Sequence, residues 1–208
     1  MIEHVVPYRL KPEAEQSQIT DMMNGINSFI SINEVVHLSA GPLLRTQSSS
    51  FTFTHMLYCR FNSEDDLNAY MVHPTHVSLV NRTVILDDIM VVDWITEDAS
   101  APAPGSVSKV VLLKMKDGVA QKDYVLEVIR ETCSKFSSIR QFSFGENFSP
   151  KRAKGFSMAI LMVFDGVESL DSNAEIMDLL NEKLSDFVED DLVLDYMNGT
   201  PQSGSSST

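Results

Sequence analysis

The chain has 208 residues, 43% hydrophobic and 22% charged, with a formal net charge of −13. That is ordinary for one large globular domain or two of about 100 residues, and the acidity argues against nucleic acid and anionic membrane surfaces, which demand positive charge. No apolar run of about 18 residues is present to span a membrane, and Met1-Ile2-Glu3-His4 runs into a strand-like segment without the basic start of a secretory signal.

In chain order, Ile2 to Leu10 reads as a short strand, and Pro7 inside it predicts an edge position or a bulge. From Glu13 to Ile30 the apolar residues Ile19, Met22, Met23, Ile26, Phe29 and Ile30 recur at spacings of three and four, one buried stripe of an amphipathic helix. Glu34 to Ala40 reads as a strand ended by Gly41-Pro42, Thr46 to Ser50 as a loop, and Phe51 to Phe61 as a long strand. Ser63 offers an N-cap, followed by Glu64, Asp65 and Asp66 at the positive end of a helix. That helix meets Tyr70-Met71-Val72-His73-Pro74-Thr75-His76, where Pro74 forces a break. Helix resumes over Val77 to Leu86, and Ile89 to Ile95 closes the half as a strand.

The second half repeats the first. Val5 answers Val110 at an offset of 105, and Val91-Val92-Asp93-Trp94 answers Val193-Leu194-Asp195-Tyr196 at an offset of 102. Strands at 108–115, 139–145, 156–164 and 191–196 and helices at 120–136 and from about 168 restore the order β-α-β-β-α-β. The expected domains are 1–96 and 107–197, joined by a Pro/Ala/Ser-rich linker at 97–106 and followed by a disordered tail at 198–208. This is the order of ferredoxin-like α+β units, each a sheet with helices on one face. The expected fold is therefore two ferredoxin-like βαββαβ repeats packed sheet-to-sheet as an intramolecular dimeric α/β barrel, a fused pair needing no second chain, although exposed sheet edges leave further homo-oligomers open.

The H-P-x-H segment crowds two imidazoles and a phenol together, and imidazole exchanges its proton near neutral pH. The same segment also reads as a structural joint whose histidines cap backbone groups. Cys59 and Cys133 have no nearby cysteine partner and read as buried thiols in a reducing compartment. No metal-ligand spacing, no G-x-S-x-G and no glycine-rich phosphate loop appears, so neither metal nor cofactor is expected. Cytoplasm is the expected location, with peroxisome or plastid as alternatives; Ser206-Ser207-Thr208 is not the peroxisomal S-K-L.

The opening H-V-V-x-x-x-L-K from His4, the segment Phe53 to Phe61, the helix ending Ala69 to Val77 and the closing Asp88 to Trp94 together resemble the stress-responsive dimeric α/β-barrel (Dabb) domain, in its tandem plant form. The resemblance covers both halves. It implies a stress-response protein that is non-catalytic or binds a small hydrophobic ligand. The first repeat also resembles olivetolic acid cyclase, a cofactor-free polyketide cyclase of that family, and this implies an alternative. His76 would then be the base and Tyr70 the donor for an intramolecular aldol closure of a polyketide ligand, with His4, His55, His73 and Phe53 around the substrate. In the second repeat Lys109, Met158, Asn173 and Leu179 stand at the places of His4, His55, Tyr70 and His76. That half is expected to be structural.

Overall fold

The computed structural model describes residues 1–97, 100–118 and 121–199. The first repeat comprises β1 (Ile2–Leu10), α1 (Gln16–Asn27), β2 (Val35–Gln47), β3 (His55–Phe61), α2 (Glu64–Val72), α3 (Pro74–Arg82), β4 (Leu86–Ile89) and β5 (Val92–Ile95). The second comprises β6 (Val107–Met115), α4 (Lys122–Cys133), β7 (Gln141–Glu146), β8 (Met158–Phe164), α5 (Val167–Asp171), α6 (Glu175–Leu184) and β9 (Val188–Met197). None of the described helices is long and apolar enough to cross a membrane. The expected tail lies, from Thr200 onward, outside the described residues; Asn198 is buried and hydrogen-bonded to Ser106 and Ser108.

Each repeat is ferredoxin-like, but the expected closed barrel is not formed. The nine strands make one sheet in the order β4-β1-β3-β2-β9-β6-β8-β7, with β5 also on β1, and the path is open at both ends. The repeats join edge to edge through β2 and β9, from Leu43 opposite Tyr196 to Gln47 opposite Val193. Closure would require β5 to pair with β7, and no such ladder exists among the described residues. The outer edge of β5 is already occupied by the segment after β7. Asn147 Oδ1 accepts from the Asp93 amide at 3.0 Å, and the Phe148 amide donates to the Asp93 carbonyl at 2.9 Å.

Three local readings also change. β2 runs on through Gly41-Pro42 to Gln47, because β9 takes over as its partner where β3 leaves. Pro7 lies in an interior strand, opposite the gap where the expected closing strand splits into β4 and β5. Its missing N–H therefore breaks no ladder bond on that side, while its carbonyl accepts from the Met90 amide. The β3 ladder starts at His55, so Phe53 leaves the alternation and does not share the His55 face.

Alternation along β1 sorts the side chains. Val5 enters a buried cluster shared by both repeats, with Phe53, Tyr58, Trp94, Val110, Leu161 and Leu194. Ile2, Val6 and Tyr8 face the helices of the first repeat, packing with Met22, Ile26, Tyr70 and Leu79. Each large apolar side chain so buried stabilises the fold by about 1.5–3 kcal/mol. His4 lies on the same side of β1 as Ile2 and Val6, which places it under the helices.

Candidate functional site

The break at His73-Pro74 builds the site. His73 is extended (φ −61°, ψ 134°), and its Nδ1 accepts the Thr75 amide at 3.2 Å, capping α3 while Pro74 occupies the first turn. The capping reading of the joint thus describes His73, which does not line the cavity. The same bend brings Tyr70, near the end of α2, against His76, in the first turn of α3, with ring centroids 4.5 Å apart.

Tyr70 is fully buried among the rings of His4, Phe29, Phe61 and His76. Among the described residues its hydroxyl has no hydrogen-bond partner. Burial raises its pKa well above the usual phenol range, so the group stays protonated. His76 is half-buried, and burial lowers its pKa. Its Nδ1 is 3.1 Å from the Met71 carbonyl. A carbonyl only accepts, so Nδ1 carries the proton and Nε2 is the nitrogen left free.

His4 Nδ1 lies 2.5 Å from Asp93 Oδ1 on the paired strand β5. Burial alone would raise the Asp93 carboxyl. The His4 ring, a hydrogen bond from Ser149 and the Arg152 guanidinium outweigh burial and hold it below its ordinary value. The carboxylate is therefore ionised, the His4 proton lies on Nδ1, and Nε2 is left for the cavity.

His4, Tyr70 and His76 line a cavity of about 250 Å³ whose wall is otherwise mainly aliphatic, with Val6, Ile26, Leu57 and Leu79 among its residues. Of the sequence-predicted residues, His4, Tyr70 and His76 converge here. His55 does not: it stacks on Tyr8 (5.4 Å, 17°) and bonds Thr54, and burial lowers its pKa. Phe53 stacks on Phe51 in the cluster between the repeats.

Two residues were missed from the sequence. Asp93 carried a signal, a carboxylate in an apolar strand matched by Asp195 in the other repeat. Arg152 carried none, because it lies in a turn (Pro150–Arg152) of the second repeat and reaches the cavity only through the tertiary fold. The second repeat is thus more than a supporting sheet. Its own cavity, about 240 Å³, keeps aliphatic residues such as Val111 and Leu113 but adds Glu189, Asp190 and Asp191. Asn173, at the place of Tyr70, is bonded to Ser138 and Ser169. Among the described residues no cluster of three or more His, Cys, Asp or Glu is arranged to hold a metal ion.

Residues 2–96 and 107–198 each match the family model described as Stress responsive A/B Barrel Domain. The chain is 40% identical over 218 residues to a stress-response A/B barrel domain-containing protein of Arabidopsis thaliana, covering 100% of this chain and 82% of that one. It is 39% identical over 204 residues to a second stress-response A/B barrel domain-containing protein of the same plant, covering 94% and 96%. A candidate monooxygenase from Fusobacterium nucleatum subsp. nucleatum shares the fold with a TM-score of 0.65 over 95% of this chain and 92% of that one, at 11% identity. That likeness is one of fold alone. These comparisons lend no support to the resemblance to olivetolic acid cyclase.

Proposed function

We propose a ligand-binding role for this chain, which belongs to the stress-responsive A/B barrel domain family. The first repeat takes up a small, largely apolar molecule between its sheet and its helices. The observation that carries this reading is Tyr70, a residue of the cavity wall whose buried hydroxyl has no hydrogen-bond partner among the described residues. Leaving a buried hydroxyl unsatisfied costs about 1–3 kcal/mol. A bound molecule with one polar atom would satisfy it, while the aliphatic wall receives the rest of that molecule.

The test is titration with Nile red, a neutral apolar dye whose fluorescence rises on leaving water. The wild-type chain is expected to bind one equivalent. Leu79→Trp, which fills the cavity, is expected to abolish binding while the fold is retained by circular dichroism. Undiminished binding to the folded Leu79→Trp chain would place the dye elsewhere and remove the proposal.

A further inference from the structure

The cavity wall is not drawn from one repeat alone. Arg152 comes from the second repeat, and its Nη2 lies 3.1 Å from Asp93 Oδ2 and 3.4 Å from Ser149 Oγ. Among the described residues its Nη1 meets only the Met71 thioether, at 4.0 Å, a weak acceptor. One edge of the guanidinium thus holds a carboxylate, and among the described residues the other has no oxygen to bind. No Asp or Glu of the described residues lines this cavity. Its other polar residues are His4, Tyr70 and His76, with Tyr8 and Thr83, whose hydroxyls already donate to the Met23 thioether and the Leu79 carbonyl.

The other half of the molecule shows what such an edge takes. Asp195, the counterpart of Asp93, is also approached by an arginine from the opposite repeat: Arg45 Nε lies 3.7 Å from Asp195 Oδ2. The Nη1 of Arg45 is not idle, for it pairs with Asp171 Oδ1 at 2.6 Å. Asn68 stands where Asp171 does, by the offset that matches Tyr70 to Asn173. The first-repeat site therefore keeps the arginine between the repeats, but among the described residues no second carboxylate pairs with it.

We infer that the ligand of the first-repeat cavity is a monocarboxylate with an apolar body, its acid group bound by Arg152 of the second repeat in the place that Asp171 fills beside Arg45. This rests on the ligand-binding reading above and adds the chemical class of the ligand. A planar guanidinium suits this role, because its fork matches a carboxylate and its charge does not titrate away. The head group lies where Arg152 is part-exposed, beside the neighbouring Tyr70, His76 and His4, so that the acid can also accept from the Tyr70 hydroxyl, and the hydrocarbon body runs inward along Val6, Ile26 and Leu79. The second-repeat cavity would repel the same ligand through Glu189, Asp190 and Asp191.

The experiment is displacement of Nile red by octanoate and by octanol, a neutral molecule of matching body, at about pH 8 and low salt. The wild-type chain should bind octanoate about tenfold more tightly, the scale of one charged hydrogen-bonded contact. Arg152→Gln should lose that preference and keep its affinity for octanol. Arg45→Gln, which removes the matching arginine away from this cavity, should keep the preference. Equal binding of the two on the wild type, or a preference that survives Arg152→Gln, overturns the acid-head inference and leaves the apolar site standing. Failure of both to displace bound dye, or of the dye to bind at all, overturns both. Should Arg152→Gln unfold, the wild type still decides: the preference must shrink as salt screens the part-exposed arginine, and one insensitive to salt refutes the inference.

Discussion

Lys109 holds Asp195 at 2.7 Å in the place where His4 holds Asp93 at 2.5 Å. Both aspartates are essentially fully buried, and each lies on the strand that closes its repeat. A buried carboxylate needs a partner, and the two repeats meet that need differently. An ammonium in the second repeat ties up the acid and presents nothing further. An imidazole in the first has a second nitrogen to offer a cavity.

Lys109→Met should therefore destabilise the chain by about 3 kcal/mol, because Asp195 would keep only the more distant Arg45. Lys109→His should cost less, since it recreates the pair found in the first repeat. Urea denaturation of the three chains measures both. A Lys109→Met chain as stable as the wild type would show that the buried pair contributes no net stability.

Tyr70→Phe removes a hydroxyl that has no partner among the described residues. Truncating a buried tyrosine hydroxyl ordinarily weakens a fold, but here the free chain should be unchanged or stabilised by up to about 1 kcal/mol. Ligand affinity should fall at the same time. A clear drop in denaturation midpoint for the unliganded variant would mean the hydroxyl is already satisfied.

Gly25 lies where α1 passes α3, and a Cβ there would fall 2.5 Å from Leu79 Cδ1. That atom is the far end of a flexible side chain, and Leu79 lines the cavity. Gly25→Ala should gain up to about 1 kcal/mol in helix propensity and lose a similar amount in repacking. Stability should then change by less than about 1 kcal/mol, while dye affinity falls several-fold as Leu79 is pushed into the cavity. Unaltered dye binding would show that Leu79 moves the other way.

His37 packs against Tyr58 with the rings tilted by 59°, and its Nε2 is buried without a partner among the described residues. Burial, with the nearby Arg60 charge, lowers its pKa to about 4. The lowered value sets the sign. In the interval below the ordinary histidine value of 6.5, the unfolded chain binds a proton that the folded chain does not. Stability is whole above about pH 6.5 and falls by on the order of 2 kcal/mol as pH drops toward 4. Asp93, with its lowered pKa, adds a further loss as pH falls through its folded value. Denaturation at about pH 7 and about pH 4.5 should show the loss, and His37→Leu should reduce it. A pH dependence identical in the variant would assign the acid sensitivity to other groups.

The order of elements was legible because it rests on local spacing. The Ile19–Met22–Ile26 stripe forms α1, and the break at Pro74 falls between α2 and α3. The ends of strands were less legible, since a ladder stops where its partner stops. β2 outruns Gly41-Pro42 because β9, distant in sequence, is there to receive it. Within the site, the pairing of Tyr70 with His76 follows from their spacing across the break. His55 was misleading, because its place beside Tyr8 depends on where the β3 ladder begins.

By itself the sequence determined two copies of one strand-and-helix order and the crowding of Tyr70 and His76, because periodicity and proline act over a few residues. The tertiary structure alone decided that among the described residues no ladder joins β5 to β7 to close the sheet, and that Arg152 reaches a cavity otherwise built by the other repeat. The reason is geometric: which edges meet, and which side chain spans the junction, depends on placing segments more than 50 residues apart, and the residues of neither segment encode that alone.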